Sequence, residues 1–151
     1  PTLAGTGAVV VYQSTATNLV NGDSNTTTDV FRSPALRCDG RRVTVDLGAG
    51  GVATANADVV RGTAAADVLT LGAGADRACL GSGDDQVDGG TEADRLFGNG
   101  GQDTLSGAEG NDAVFGEAQN DALDGGPDTD TCDGGPGTDT GTNCEGTTAI
   151  P

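Results

Sequence analysis

The stretch "LGSGDDQVDGGTEADRLFGNGGQDTLSGAEGNDAVFGE", residues 80–117, decides how this chain folds. Asp85, Asp94, Asp103 and Asp112 fall nine residues apart, and an aliphatic residue follows each by two positions: Val87, Leu96, Leu105 and Val114. With the aspartate at position six of a nine-residue frame, the register runs both ways without insertion, and frames start at 53, 62, 71, 80, 89, 98, 107, 116, 125 and 134. Position six reads Asp58, Asp67, Asp76, Asp85, Asp94, Asp103, Asp112, Asp121, Asp130 and Asp139, aspartate in all ten frames. Position eight reads Val60, Leu69, Ala78, Val87, Leu96, Leu105, Val114, Leu123, Cys132 and Gly141. Position one is glycine in seven frames, the exceptions being Ala53, Leu71 and Leu80. A short fixed period is the mark of a solenoid, whose units bury their apolar face only by stacking on one another.

Composition narrows the rest. The chain has 151 residues, enough for one domain or a small domain with a flanking piece. It carries 27 glycines and only 3% aromatics, so a large conventional core is out of reach. Its formal net charge of −16 excludes nucleic acid and anionic membrane surfaces as natural partners, since both require a basic footprint. Low hydrophobicity with high net charge reads as disorder on composition alone, and the order of the residues overturns that reading. No apolar run approaches the ~20 residues of a membrane span, so no membrane insertion is expected. No cleavable signal is readable at Pro1; the expectation is a removed signal or a fragment of something longer. Four cysteines (Cys38, Cys79, Cys132, Cys144) without histidine or a CxxC pair argue against zinc. They fit two disulfides and an oxidising compartment, with three pairings open.

The frame resembles the nonapeptide repeat of the RTX family, G-G-x-G-x-D-x-U-x, over residues 53–142. The resemblance implies an all-β fold, a right-handed parallel β-roll in which two frames make one turn, and calcium (Ca2+) as the cofactor. The residue types suit that path. Glycine lets backbone carbonyls approach a cation, and the turn glycines expected near metal are Gly72, Gly74, Gly81, Gly83, Gly98, Gly101, Gly107 and Gly110. A short strand follows each aspartate, with position eight pointing inward and positions seven and nine outward. Stacking then brings aspartates 18 residues apart to within roughly 4.8 Å, where bare carboxylates repel and a hard divalent cation resolves the repulsion.

Two columns follow: Asp58, Asp76, Asp94, Asp112, Asp130 and Asp67, Asp85, Asp103, Asp121, Asp139. An ion between each adjacent pair gives about eight calcium sites at most, and eight divalent ions would match the formal −16. The frames are unequal. Position four is glycine at Gly74, Gly83, Gly101, Gly110 and Gly137, but Asn56, Ala65, Glu92, Gln119 and Asp128 elsewhere, and those departures mark five frames as the weaker calcium sites. The strongest candidates lie between Asp76 and Asp112 in one column and between Asp85 and Asp103 in the other. A metal-free roll held by packing alone is disfavoured, because ten small inward residues do not offset the ordering entropy of the chain.

Residues 1–36 read differently. "VVVYQSTATNLVNGDSNTTTDVF" (9–31) resembles one repeat of the TolB-like or PD40 β-propeller class found in secreted bacterial proteins. "GAVVVYQ" reads as a strand and "DVF" begins another. Asp23, Asn25 and Asp29 are expected to cap a hairpin turn in preference to ligating a further calcium. Residues 37–52 form a small β N-terminal cap, in which "RRVTVDLGAGG" is a strand followed by a glycine turn over the open end of the roll. Residues 143–151 are a C-terminal tail. On the roll, Cys132 and Cys144 staple the last turn, and Cys79 at an outward position nine is placed to pair with Cys38. Arg61, Phe97, Phe115 and Asp133 stack beside Cys79, and the two phenylalanines are expected to be covered by the N-terminal strands or to mark a docking face.

No catalytic constellation is visible. Histidine is absent, the carboxylates belong to a lattice, and Ser82 and Ser106 lack a partner base, so the chain reads as not an enzyme. The leading expectation is a secreted or cell-surface calcium-binding module that folds on binding calcium. The rival expectations are a self-assembling filament or matrix subunit, associating through solenoid ends or the Phe97/Phe115 face, and the calcium-dependent tail of a larger secreted enzyme. An ice-binding solenoid is disfavoured because the outward columns carry Arg, Phe, Asp and Gln and no flat threonine array.

Overall fold

A computed structural model describes residues 2–3, 10–11 and 36–147 of the chain. It comprises two compact units, Pro1–Leu36 and Arg37–Pro151. In the first, β1 (Thr2–Leu3) pairs antiparallel with β2 (Val10–Val11), which lies inside the apolar run expected to be a strand. Asp23, Asn25, Asp29 and the "DVF" segment fall outside the described residues.

The second unit opens with a hairpin, β3 (Arg37–Cys38) and β4 (Arg41–Arg42), joined by Asp39 and Gly40 at φ 43° and 76°. Two successive left-handed residues make the tight hairpin turn for which Asp-Gly is suited. Next come β5 (Val45–Asp46) and a 3-10 turn at Leu47–Ala49 that closes on left-handed Gly50. The roll follows as β6 (Val59–Arg61), β7 (Val68–Ala73), β8 (Arg77–Ser82), β9 (Gln86–Thr91), β10 (Arg95–Gly100) and β11 (Thr104–Glu109). It ends with β12 (Ala113–Ala118), β13 (Ala122–Asp124), β14 (Thr131–Asp133), β15 (Thr140–Thr142) and β16 (Gly146–Thr147). Alternate strands belong to two parallel sheets: β16-β14-β12-β10-β8-β6-β5 and β15-β13-β11-β9-β7. Each pairing within the frames joins residues 18 apart, as in Leu96 with Val114 and Leu105 with Val87. This is a parallel β-solenoid of about five turns, as the nonapeptide period implies.

The strands of the middle turns are six residues long, twice the length of position seven to position nine. Extending each strand by three residues brings position one of the next frame to the inner face, by the two-residue alternation of a strand. The inner face therefore carries positions six, eight and one. Val60, Ala78, Val87, Leu96, Leu105, Val114, Leu123 and Cys132 are buried from position eight, and Leu71 and Leu80 from position one. Those two leucines, exceptions in the glycine column, are core residues. The core is one side chain thick. Leu47 and Ala53 pack against it at one end and Cys144 at the other.

Positive φ recurs at position two, inside the six-residue strands, and at position four, between strands. Gly72, Gly74, Gly81, Gly83, Gly101 and Gly110 have it, whereas Gly98 and Gly107 are strand residues of the inner face. Glu92, Gln119 and Asp128 hold the left-handed turn at position four in spite of their side chains, at a cost of roughly 1 kcal/mol each.

Cys38–Cys79 ties the hairpin to β8, and Cys132–Cys144 ties the last turn to β14. Phe97 and Phe115 are half-buried: their rings stack at 4.8 Å, and the Arg95 guanidinium lies 5.6 and 5.5 Å from the two centroids. Each thus covers part of the other's apolar surface, with arginine over the edge. Leu96 is fully buried while Val68 is 83% exposed. In saturating calcium Leu96→Ala is expected to cost about 2–4 kcal/mol and Val68→Ala less than about 0.5 kcal/mol, read as shifts of the thermal unfolding midpoint.

Candidate metal centre in two aspartate columns

The aspartates of position six point inward. Asp76, Asp85, Asp94, Asp103, Asp112, Asp121, Asp130 and Asp139 are each at most 4% exposed. Within a column they are linked directly. The backbone N–H of Asp58 donates to Oδ1 of Asp76, that of Asp76 to Asp94, Asp94 to Asp112 and Asp112 to Asp130, at 2.6–2.8 Å. In the second column Asp67, Asp85, Asp103 and Asp121 donate in the same way to the carboxylate one turn on, at 2.8–2.9 Å. At the end of the first column the N–H of Asp130 finds Oε2 of Glu145 at 2.8 Å, so Glu145 stands in for the next aspartate.

Oδ1 is therefore satisfied, and Oδ2 is not. In all eight aspartates from Asp76 to Asp139 the buried Oδ2 has no hydrogen-bond donor. A buried carboxylate oxygen without a partner is costly, and these recur in every turn. Position one shows what lies opposite. A Cβ added at Gly89 would meet Asp94 Oδ2 and Gly107 O, each at 2.6 Å, and the same two kinds of oxygen would crowd a Cβ at Gly98, Gly107 and Gly116. Glycine is required there because carboxylate and carbonyl oxygens converge on the space.

The first two frames differ. Oδ2 of Asp58 accepts the N–H of Thr54 at 2.7 Å and its hydroxyl at 2.9 Å, and Thr44 reaches Oδ1. Asp67 accepts the N–H and hydroxyl of Thr63. Threonine at position two thus does with protein donors what the later frames leave undone, and neither Asn56 nor Ala65 is left-handed. Glu92, Gln119 and Asp128 mark frames whose turns keep their shape and whose aspartates keep the unpartnered oxygen.

Electrostatics follow from this geometry. Burial raises the Asp94 carboxyl to about 7, against the N–H it accepts from Asp76 and with help from the neighbouring Asp112, Asp76 and Glu92. Burial likewise raises Asp103 to about 6, and Asp76, Asp85, Asp112 and Asp121 shift upward for the same first reason. A carboxylate so placed takes up either a proton or a cation. The available ligands are all oxygens, carboxylate and carbonyl, which suits a hard cation of variable coordination such as calcium. Among the described residues no three carboxylates or thiols gather round one point, so backbone carbonyls would complete any such site. The residues fit the ion.

A family model for the RTX calcium-binding nonapeptide repeat matches residues 52–87, 80–114 and 106–140. The chain belongs to the RTX calcium-binding repeat family. Its RTX turns bind calcium, the property that defines the repeat. No curated protein and no solved structure matches the chain.

A second ladder was not legible in the RTX frame itself. At position five, Asp84, Asn111 and Asn120 accept the N–H of the residue 18 positions later, Gln102, Thr129 and Thr138. Its signal is the polar run Asp-Gln-Asn-Asn-Thr-Thr interrupted by Ala93 at that position.

Two expectations test this account. In calcium-free buffer the folded chain binds protons that the unfolded chain, at 3.8, releases. The calcium-free roll therefore has the full benefit of these protons below about pH 4 and loses stability as the pH rises through 6 and 7. In calcium the order reverses, and the calcium midpoint rises as pH falls through the same window; thermal unfolding across pH in both buffers reads it. Gly98→Ala, whose methyl would occupy the space between Asp103 Oδ2 and Gly116 O, is expected to raise the calcium concentration for folding by about tenfold or more.

Proposed function

We propose that the chain is an extracellular, calcium-dependent structural module. It is largely unfolded where calcium is scarce and forms the roll in the millimolar calcium outside cells. The observation that carries this reading is the double column of eight buried aspartates, each with one oxygen lacking any donor. A thin core cannot hold such columns together unaided, so cation binding and folding are one event. Two disulfides and the acidic composition support an oxidising, extracellular setting.

Calcium is assigned to the intervals from Asp76 to Asp130 and from Asp85 to Asp139, about six ions, with the first interval of each column left to Thr54 and Thr63. The chain acts as a folding and stabilising element and not as a catalyst, since its buried carboxylates are held in a repeating ladder. Residues 1–36 are read as a propeller-like segment.

A monomeric module is favoured over a filament subunit. The seven-stranded sheet extends one strand past the five-stranded sheet at each end, through β5 and β16. Joining β16 of one copy to β5 of the next would leave a gap of two strand positions in the other sheet. Such a joint does not bury its edges.

Far-UV circular dichroism and light scattering on one sample, titrated with calcium, test the reading together with native mass spectrometry. A coil-to-β transition at constant size with about six bound ions is expected. Growth of particles would move the assignment to a matrix subunit, and a roll indifferent to calcium would overturn it. Asp103→Asn is expected to remove about two ions, while Asp58→Asn, already satisfied by threonine, removes none.

A further inference from the structure

All arginines of the described residues precede residue 96, and three of them meet. Arg77 and Arg95 are direct partners on adjacent strands, and Arg41 of the hairpin faces them across a cavity of about 350 Å³. Like-charged neighbours on one face are destabilising unless something lies between them. What lies there is Asp39, at the tip of the hairpin turn, with Oδ2 3.3 Å from Arg77 Nε and 3.5 Å from Arg95 Nε. Neither contact is a hydrogen bond: both Nε atoms are buried and lack an acceptor. Asp39 supplies a counter-charge and leaves the donors unused.

The space is built into the fold. Position five carries Ala57, Ala75 and Ala93 along this corner, whereas the same column continues with Asn111, whose side chain caps the next turn. Small side chains on three successive turns open the cavity, and the disulfide Cys38–Cys79 fixes the hairpin that roofs it. The Arg95 guanidinium is also held by Phe97 and Phe115. The volume suits a small molecule and far exceeds a single water.

We propose that the cavity between Arg41, Arg77 and Arg95 is a binding site for a small oxyanion, a sulfate or carboxylate group. Guanidinium groups present paired N–H donors in the planar arrangement such oxyanions accept. The site is calcium-gated, and in this respect it rests on the function proposed above. Asp58 and Asp76 also line the cavity. Asp39 is the carboxylate in contact with the arginines, and Asp58 and Asp76 add negative charge to the cavity wall. With calcium on the Asp76 column the walls become positive, and an anion is drawn in. By reciprocity the anion must then tighten calcium binding.

The test is a titration of the folded, calcium-saturated chain with sodium sulfate at constant ionic strength, following the arginine Nε–H resonances by NMR with chloride as the control. Circular dichroism on the same samples reports the fold. Saturable shifts of Arg77 and Arg95, with a midpoint on the order of millimolar, and a calcium midpoint for folding lowered several-fold by sulfate are expected. Arg77→Gln and, as a variant outside the roll strands, Arg41→Gln should abolish both effects, and Asp39→Asn should strengthen them. Shifts that follow ionic strength alone, or that persist in Arg41→Gln and Arg77→Gln, would overturn the site. Sulfate binding to a roll that forms without calcium would keep the site and remove the gating together with the calcium reading. Calcium-driven folding with no response to sulfate would do the reverse.

Discussion

A buried carboxylate that keeps one hydrogen bond and lacks the other is the constraint on which the rest of the roll depends. Oδ1 accepts the N–H of the aspartate one turn before, so each layer is pinned to the next through the very group that repels it. Oδ2 faces the carbonyl and glycine of the inner face with no donor in reach. One half of the group stabilises the stack and the other half opposes it. Which half prevails is decided by whatever occupies Oδ2, and proton, threonine and cation are the three answers the chain can give. A core one side chain thick leaves little margin for a fourth.

The ends give the threonine answer, or avoid the question. Thr54 and Thr63 close the first two turns with amide and hydroxyl donors, and the hairpin is bolted to β8 by a disulfide. At the far end Glu145 receives the last N–H of its column, and Cys132–Cys144 holds the closing strand. Terminal repeats of a solenoid have a neighbour on one side only, so half of their cation cage is missing. At the first end threonine donors and a disulfide replace it; at the far end a disulfide and the Glu145 acceptor hold the closing strand, while Asp130 and Asp139 keep the unpartnered oxygen.

Much of this was legible in the order of residues. The nine-residue period located the aspartates and inward aliphatics, and the resemblance to the RTX repeat, with two frames to a turn, implied the two sheets, the 18-residue pairing and both aspartate columns. Cys79 and Cys132 hold frame positions, whereas their partners Cys38 and Cys144 lie outside the register. What escaped depends on geometry that the register does not contain. Leu71 and Leu80 looked like lapses in a glycine column until six-residue strands turned position one inward. Glu92, Gln119 and Asp128 depart from glycine at position four, yet their backbone keeps the left-handed turn. Thr54 and Thr63 share position two of the first two frames, but matter only through the oxygen they reach. Phe97 and Phe115 looked exposed, and shield each other because adjacent layers bring their rings face to face. Asp39 lies over Arg77 and Arg95 only because a tertiary disulfide brings the hairpin there.

Charge is distributed along the roll in the same sense as the donors. From residue 96 to the end the chain has eleven carboxylate side chains and neither lysine nor arginine. The early turns have Arg61, Arg77 and Arg95, with Arg37, Arg41 and Arg42 in the hairpin beside them. Repulsion in the early turns is therefore offset partly by protein, and repulsion in the later turns can be offset only from solution. The dependence on calcium must accordingly increase from the hairpin toward the C-terminal turns. A stacked solenoid grows most readily on layers already formed, since each new turn finds its partner in place. On the folding-on-binding reading proposed above, the end that needs fewest ions is the one expected to order first, with each further turn added to a template. A single roll built this way has a direction, although its frame repeats almost unchanged along its length.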